Sequence, residues 1–429
     1  MNNVKRYSGS FLDKKISTKR SALFLLFACS FAVFMSPSLS LFLGPVIAFL
    51  AFYLYLSEYQ EFVTALIIVA NDALGTAFLG KVSFQYLLLA LVAISLIRKR
   101  RISLSEILFF VTALVLQLEL VIVGFMDMRS ALFSMIYILA ILVLAKDNES
   151  VSRFFRGVAI TVGLLALHAC ITGGVEFIEY EDYVEIVRKG ILGTGIGDPN
   201  YSCFLLLIGL ICTWCDEKMK KKWKFLLTAL IIAAMTVTVS ISGLLALIMT
   251  IALFLLVGGK RGKRFTTVLI VFLVVTILIS VYISAPKELH VEGIDNYIER
   301  VTEKLNALRQ GDVNAATTNR ASLLSDYIAY IFNQPLFSFL LGGDTLNPVG
   351  KVLPHNIYID FILQVGVVGT ALMLVWMAVK VKKALELPLE DPARRRTLLL
   401  KALAVFFGLN LSLYAESLWG MWMFFCILI

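Results

Sequence analysis

Charge is scarce in this sequence. Only 16% of its 429 residues are Asp, Glu, Lys or Arg, and it holds three histidines, nine prolines and six cysteines. A soluble chain of this length would form two or three domains and carry a far larger charged surface. With 59% hydrophobic residues and a mean hydropathy of +0.86, the chain reads instead as a polytopic membrane protein. The cysteines (Cys29, Cys170, Cys203, Cys212, Cys215, Cys426) fall in or at the ends of apolar spans, so no disulfide framework is expected. Cys212 and Cys215 form a lone C-x-x-C with no second pair, too little for a metal site. The net charge of +9 does not imply a nucleic-acid partner. The Lys and Arg sit in short clusters between apolar runs, which is the pattern of a topology signal.

The clusters order the chain. Residues 1–20 form a basic tail, read as cytoplasmic, and no cleavable signal peptide is expected. An N-terminal membrane bundle covers 21–173 and a first outer loop 174–200. Further membrane helices cover 201–284, a large helical outer loop 285–355, and closing membrane helices 356–429. Most of the 39 Lys and Arg then lie on one side, which puts both termini in the cytoplasm. The expected fold is all-α, a polytopic bundle of about 12–14 membrane helices, several of them shorter than the ~20 residues a full crossing needs.

The outer loops hold the candidate chemistry. In the long one, Ile294, Tyr297, Ile298, Val301, Leu305 and Leu308 recur at helical spacing and end at Gly311-Asp312, an amphipathic helix suited to a membrane surface or to the bundle. A second helix is expected from Thr318 or Asn319 to about Phe332, stopped before Pro335. Arg320 then sits in a first helical turn, the less favoured end for a cation, and an anionic partner would account for it. His355 follows Pro354 where the chain returns to the membrane, with Asn356 beside it and Asp360 five residues on. It suits a general base, since imidazole titrates near neutrality. The structural alternative is a histidine capping the following helix.

The smaller loop carries Arg188, then a glycine-rich run from Gly193 to Gly197, then Asp198-Pro199-Asn200. The glycines fit no Walker or dinucleotide pattern and read as a turn into a helix near Pro199. Arg188 either meets an anion or pairs with Glu185 or Asp182.

Arg188-x-x-Gly followed by Asp198-Pro199-Asn200 resembles the first outer motif of the O-antigen polymerase and O-antigen ligase superfamily. Arg320, Pro335, Gly342-Gly343, His355-Asn356 and Gly366-x-x-Gly369 resemble its second, so the likeness runs from Arg188 to Gly369. Two departures stand out. Ser240-Ile241-Ser242-Gly243 lacks an arginine found in the family's corresponding turn, and Leu324 stands where an aromatic residue is frequent.

The resemblance implies an integral-membrane glycosyltransferase of the GT-C kind, in the bacterial cytoplasmic (inner) membrane. It would act on an undecaprenyl-diphosphate-linked glycan donor at the outer face, with no nucleotide sugar, metal or other cofactor. It implies that Arg188 and Arg320 bind the donor diphosphate and that His355 assists the acceptor hydroxyl, with Asn200, Asn356 and Asp360 in support. Partners would be the donor, a glycan or lipid-linked acceptor, membrane lipids and other polysaccharide-assembly proteins. A polymerase joining repeat units and a ligase moving finished glycan to a lipid or protein acceptor both fit. A transporter or flippase predicts ionisable residues along a membrane path. Here Glu119, Asp127, Asp360 and Glu416 fall toward the outer half, and the inner half is almost uncharged apart from its basic ends, with Asp72 the exception.

Overall fold

The computed structural model describes residues 4–74, 83–98, 102–122, 128–144, 148–172, 175–179, 184–188, 199–216, 218–238, 243, 247–248, 292–317, 320–342 and 356–386. They are helical apart from one short hairpin and the connecting turns. The elements are α1 (Val4–Met35), α2 (Ser40–Tyr55), α3 (Gln60–Leu74), α4 (Phe84–Ile97), α5 (Leu104–Ile122), α6 (Met128–Leu144), α7 (Asn148–Thr172), β1 (Val175–Glu179), β2 (Val184–Arg188), α8 (Pro199–Cys215) and α9 (Lys221–Val237). Then follow α10 (Glu292–Arg309), α11 (Val313–Thr317), α12 (Arg320–Asn333), α13 (Leu336–Leu341) and α14 (Ile357–Glu386). The membrane spans expected within 251–284 and 397–429 lie outside the described residues.

Among the described residues, three helical stretches are long and apolar enough to cross a membrane: Thr18–Met35, Pro37–Tyr55 and Glu149–Thr172. The other apolar helices of the bundle are shorter, such as Phe84–Ile97 and Ala131–Leu144. The backbone of the basic tail is already helical from Val4 and forms the first part of α1. Pro37 breaks the chain into a short 3-10 turn before α2, since it lacks the N–H a continuing helix would need. The α10 helix follows the expected periodicity and ends at Gly311, whose φ of +79° is one glycine tolerates.

The core lies among α1–α9. α7 is its central post, packed on α3, α8 and α9, and Val158, Ala159, Val162, Leu165 and Ala166 are buried along it. Gly157 lets α3 approach closely: a Cβ there would stand 2.8 Å from the Ala65 Cβ. Small residues at such crossings are how helices gain dispersion contact where lipid removes the hydrophobic incentive to associate.

Two carboxylates are fully buried at the end of α7 that carries Arg153 and Arg156. Glu61, in the first turn of α3, accepts from Arg153 Nη2 at 3.0 Å. Asp216, just past α8, accepts from Arg156 Nε at 2.6 Å and Nη2 at 2.9 Å, a two-pronged pair. Ser152 Oγ and the Lys218 backbone N–H, both at 3.1 Å, donate to the same carboxylate. The pairs tie α3 and the end of α8 to α7. Both carboxylates are desolvated; at Asp216 the two-pronged pair with its added hydrogen bonds offsets that cost, whereas Glu61 Oε2 and Arg153 Nε are buried with no hydrogen-bond partner among the described residues.

Arg156→Ala, which leaves Asp216 buried without its cation, is expected to cost about 3 kcal/mol and to lower the Tm of the detergent-solubilised protein. Replacing both partners, as Arg156→Met with Asp216→Leu, should recover much of that loss. A double variant as unstable as the single would show that the pair does not act as a unit.

Candidate functional site

The residues of the second motif belong to one packed unit. Tyr327 and Ile331 of α12 cluster with Ile359 and Leu363 of α14, all buried, with Leu324 and Phe339 partly buried beside them. Leu324, at the position where the resembled family often has an aromatic, thus serves the packing of α12. α12 ends at Asn333 because Pro335 cannot continue it. α13 closes at Gly342, whose φ of +74° is again a glycine conformation.

α14 opens behind Asn356. Its Oδ1 accepts from the Ile359 backbone N–H at 3.3 Å, the bond of an N-cap residue. α14 is then broken at Gly366, where φ is 68° and ψ 179°, a region essentially closed to other residues. A Cβ at Gly366 would run into the Leu340 carbonyl and the Leu341 nitrogen. The backbone of α13 therefore lies directly on the break. Thr370 Oγ1 donates to the Gly366 carbonyl at 2.7 Å.

This contact sets the direction of α12. Its C-terminal end leads through Pro335 into α13 and so to the level of Gly366. Its packing on Ile359 and Leu363 takes it back toward the head of α14. Arg320, the first residue of α12, thereby comes to the same end of the helix pair as Asn356. His355, the residue before Asn356, lies outside the described residues. Asp360 is the fourth residue of α14.

The first motif belongs to the larger core. The segment 175–188, expected as loop, is an antiparallel hairpin in which Val175 pairs with Arg188 and Phe177 with Ile186. Arg188 is thus held opposite a residue three positions past the end of α7. The glycine-rich run 193–197 and Asp198 lie outside the described residues, and Asn200 is the second residue of α8. Arg188 and Asn200 therefore share one end of the α7–α8 pair, and Arg320 and Asn356 one end of the α12–α14 pair. A juxtaposition of the two ends belongs to the functional proposal below.

Sequence reasoning missed Glu61 and Asp216, and had taken Arg153 and Arg156 only as topology markers. A carboxylate just outside an apolar run, facing an arginine on another span, was the available signal. Among the described residues no group of three or more His, Cys, Asp or Glu is placed to hold a metal ion. No protein-family model, curated protein or solved structure matches this chain.

Gly366→Ala is expected to cost at least about 2 kcal/mol, from a forbidden φ combined with a backbone clash, and to lower the Tm. Asn356→Ala should cost about 1 kcal/mol and Asn356→Asp, which keeps the capping oxygen, much less. Activity that follows the cap, surviving in Asp and falling in Ala, would mark Asn356 as a positioning residue. Loss in both would give its amide a part in the chemistry.

Proposed function

We propose that this chain is a multi-pass protein of the bacterial cytoplasmic membrane, N-terminus inside, that joins polyprenyl-diphosphate-linked repeat units into a surface polysaccharide. The observation that supports the reading is the packing of α12 on α14, whose backbone course brings the start of α12, at Arg320, to the end of α14 that Asn356 caps. The resemblance to the O-antigen polymerase and ligase superfamily supplies the substrate class.

In this reading Arg320 and Arg188 hold the donor diphosphate. Guanidinium offers a planar pair of donors to phosphate oxygens and stays charged at any working pH. His355 takes the proton of the acceptor hydroxyl as its oxygen attacks the anomeric carbon. The bond from that carbon to the diphosphate breaks, and the leaving charge falls on the arginines, where fixed cations stabilise it. Metal-independent transfer, as the resemblance implies, would make these cations the main source of leaving-group stabilisation.

Ligase-type transfer to a lipid or protein acceptor uses the same residues and is the alternative within this reading. A transporter or flippase is favoured less. Glu61 and Asp216, though buried, are each locked to an arginine at a helix end, whereas a path would line ionisable groups through the membrane.

The deciding experiment is the lipid-linked glycan profile of cells lacking this gene, complemented with wild type or variants. Accumulation of single repeat units on the lipid is the expected result; long lipid-linked chains left untransferred would indicate a ligase. Arg188→Gln and Arg320→Gln should each lower transfer about 10²-fold or more, with Lys substitutions recovering only part. Full-rate rescue by His355→Ala would remove the histidine from the mechanism. An unchanged profile in the deletion strain would return the transporter reading.

A further inference from the structure

The element formed by α12, Pro335 and α13 leaves an apolar surface uncovered. While Tyr327 and Ile331 face the small core, Phe332 and Phe337 are 74% and 79% exposed, and Leu336 and Leu341 are also exposed. From Tyr327 to Gly343 the chain contains no Asp, Glu, Lys or Arg. Exposed apolar surface without a charged rim departs from what water-facing helices show.

The depth of this surface follows from α14. Lys380, Lys382 and Lys383 mark its basic end. About 20 residues span the hydrocarbon of a bilayer, so a crossing that ends at Val379 begins near Asp360. Gly366 is six residues further in, which at 1.5 Å per residue is about 9 Å below that boundary. The α13 backbone at Leu340 and Leu341 rests on Gly366, so α13 is held at the same depth. α14 likewise exposes apolar side chains at Val368, Leu372, Val375 and Val379. α12 and α13 have 14 and 6 residues, too few to cross.

We propose that α12–Pro335–α13 is a re-entrant element whose tip, Phe332 to Leu341, is immersed in the acyl chains of the outer leaflet. The occupant of its exposed face is phospholipid. The consequence for the site is positional. The tip anchors α12 by its far end, and Arg320, about 18 Å along the helix from Phe332, is carried back up toward the headgroup level, where a lipid diphosphate lies. The inference rests on the reading that α14 crosses the membrane and is independent of glycosyl transfer.

The test places p-benzoylphenylalanine at Phe337, and separately at Leu336 and Asp326, in the full-length protein in native membranes. Illumination should give phospholipid adducts at 337 and 336, identified by mass, and none at 326. In parallel, a membrane-impermeant maleimide should label Asp326→Cys in intact cells with an opened outer barrier, label Phe337→Cys at least tenfold more slowly, and label Lys382→Cys only after permeabilisation. If Lys382→Cys behaves as stated while Phe337→Cys labels as fast as Asp326→Cys, or 337 crosslinks to another polypeptide in place of lipid, the re-entrant element is refuted although α14 crosses. Labelling of Lys382→Cys without permeabilisation would overturn the crossing of α14 and the proposal with it.

Discussion

A backbone surrounded by hydrocarbon has no water to receive its N–H and C=O groups, so every interruption of a membrane helix must be backed by protein. If α14 crosses the membrane as proposed, that constraint falls on Gly366. The break there is backed by α13, which lies on it backbone to backbone, and the Thr370 hydroxyl donates to the Gly366 carbonyl. Everything that gives the second motif its shape follows from that contact. It fixes the level of α13 along α14, thereby the direction of α12, and thereby the end of the helix pair at which Arg320 starts. The glycine is needed twice over, for a φ that other residues avoid and for the absence of a Cβ.

A different device holds the larger bundle. Arg153 and Arg156 lie in the basic fringe that a topology argument counts as surface charge, yet each is committed to a buried carboxylate. A buried ion pair is a poor source of net stability against a well-packed apolar pair. Its value is in register: Arg156 meets Asp216 with two donors only at one rotation and height of α7 against α8. The end of α7 that leads into the hairpin, and so to Arg188, inherits that register. The two candidate arginines are therefore positioned by separate means, one by an ion-paired helix trio and a hairpin, the other by a broken helix and its backing element.

Much of the helical architecture was legible in the sequence, because composition and period are local properties. The α10 periodicity ending at Gly311, the break at Pro37 and the stop before Pro335 needed only nearby residues. The hairpin was missed although Val175–Glu179 and Val184–Arg188 are rich in β-branched residues. Their glutamates suggested a polar loop, and strand pairing is a property of two segments together. The buried ion pairs were missed for the same reason, joining residues 92 and 60 positions apart. Asn356 was legible as a site residue, but its capping bond separates a structural role from a chemical one only once the start of α14 is fixed. Leu324, a departure from the resembled pattern, is explained by its packing on α14.

The central claim is that this membrane scaffold presents two arginines and a histidine to a lipid diphosphate for glycosyl transfer. The most direct measurement uses the purified protein in liposomes supplied with a polyprenyl-diphosphate-linked oligosaccharide, and follows free polyprenyl diphosphate together with glycan length. The account predicts release of the lipid diphosphate in step with growth of the glycan. Movement of the intact lipid-linked sugar across the bilayer, with the sugar–diphosphate bond unbroken and no lipid diphosphate released, would contradict it.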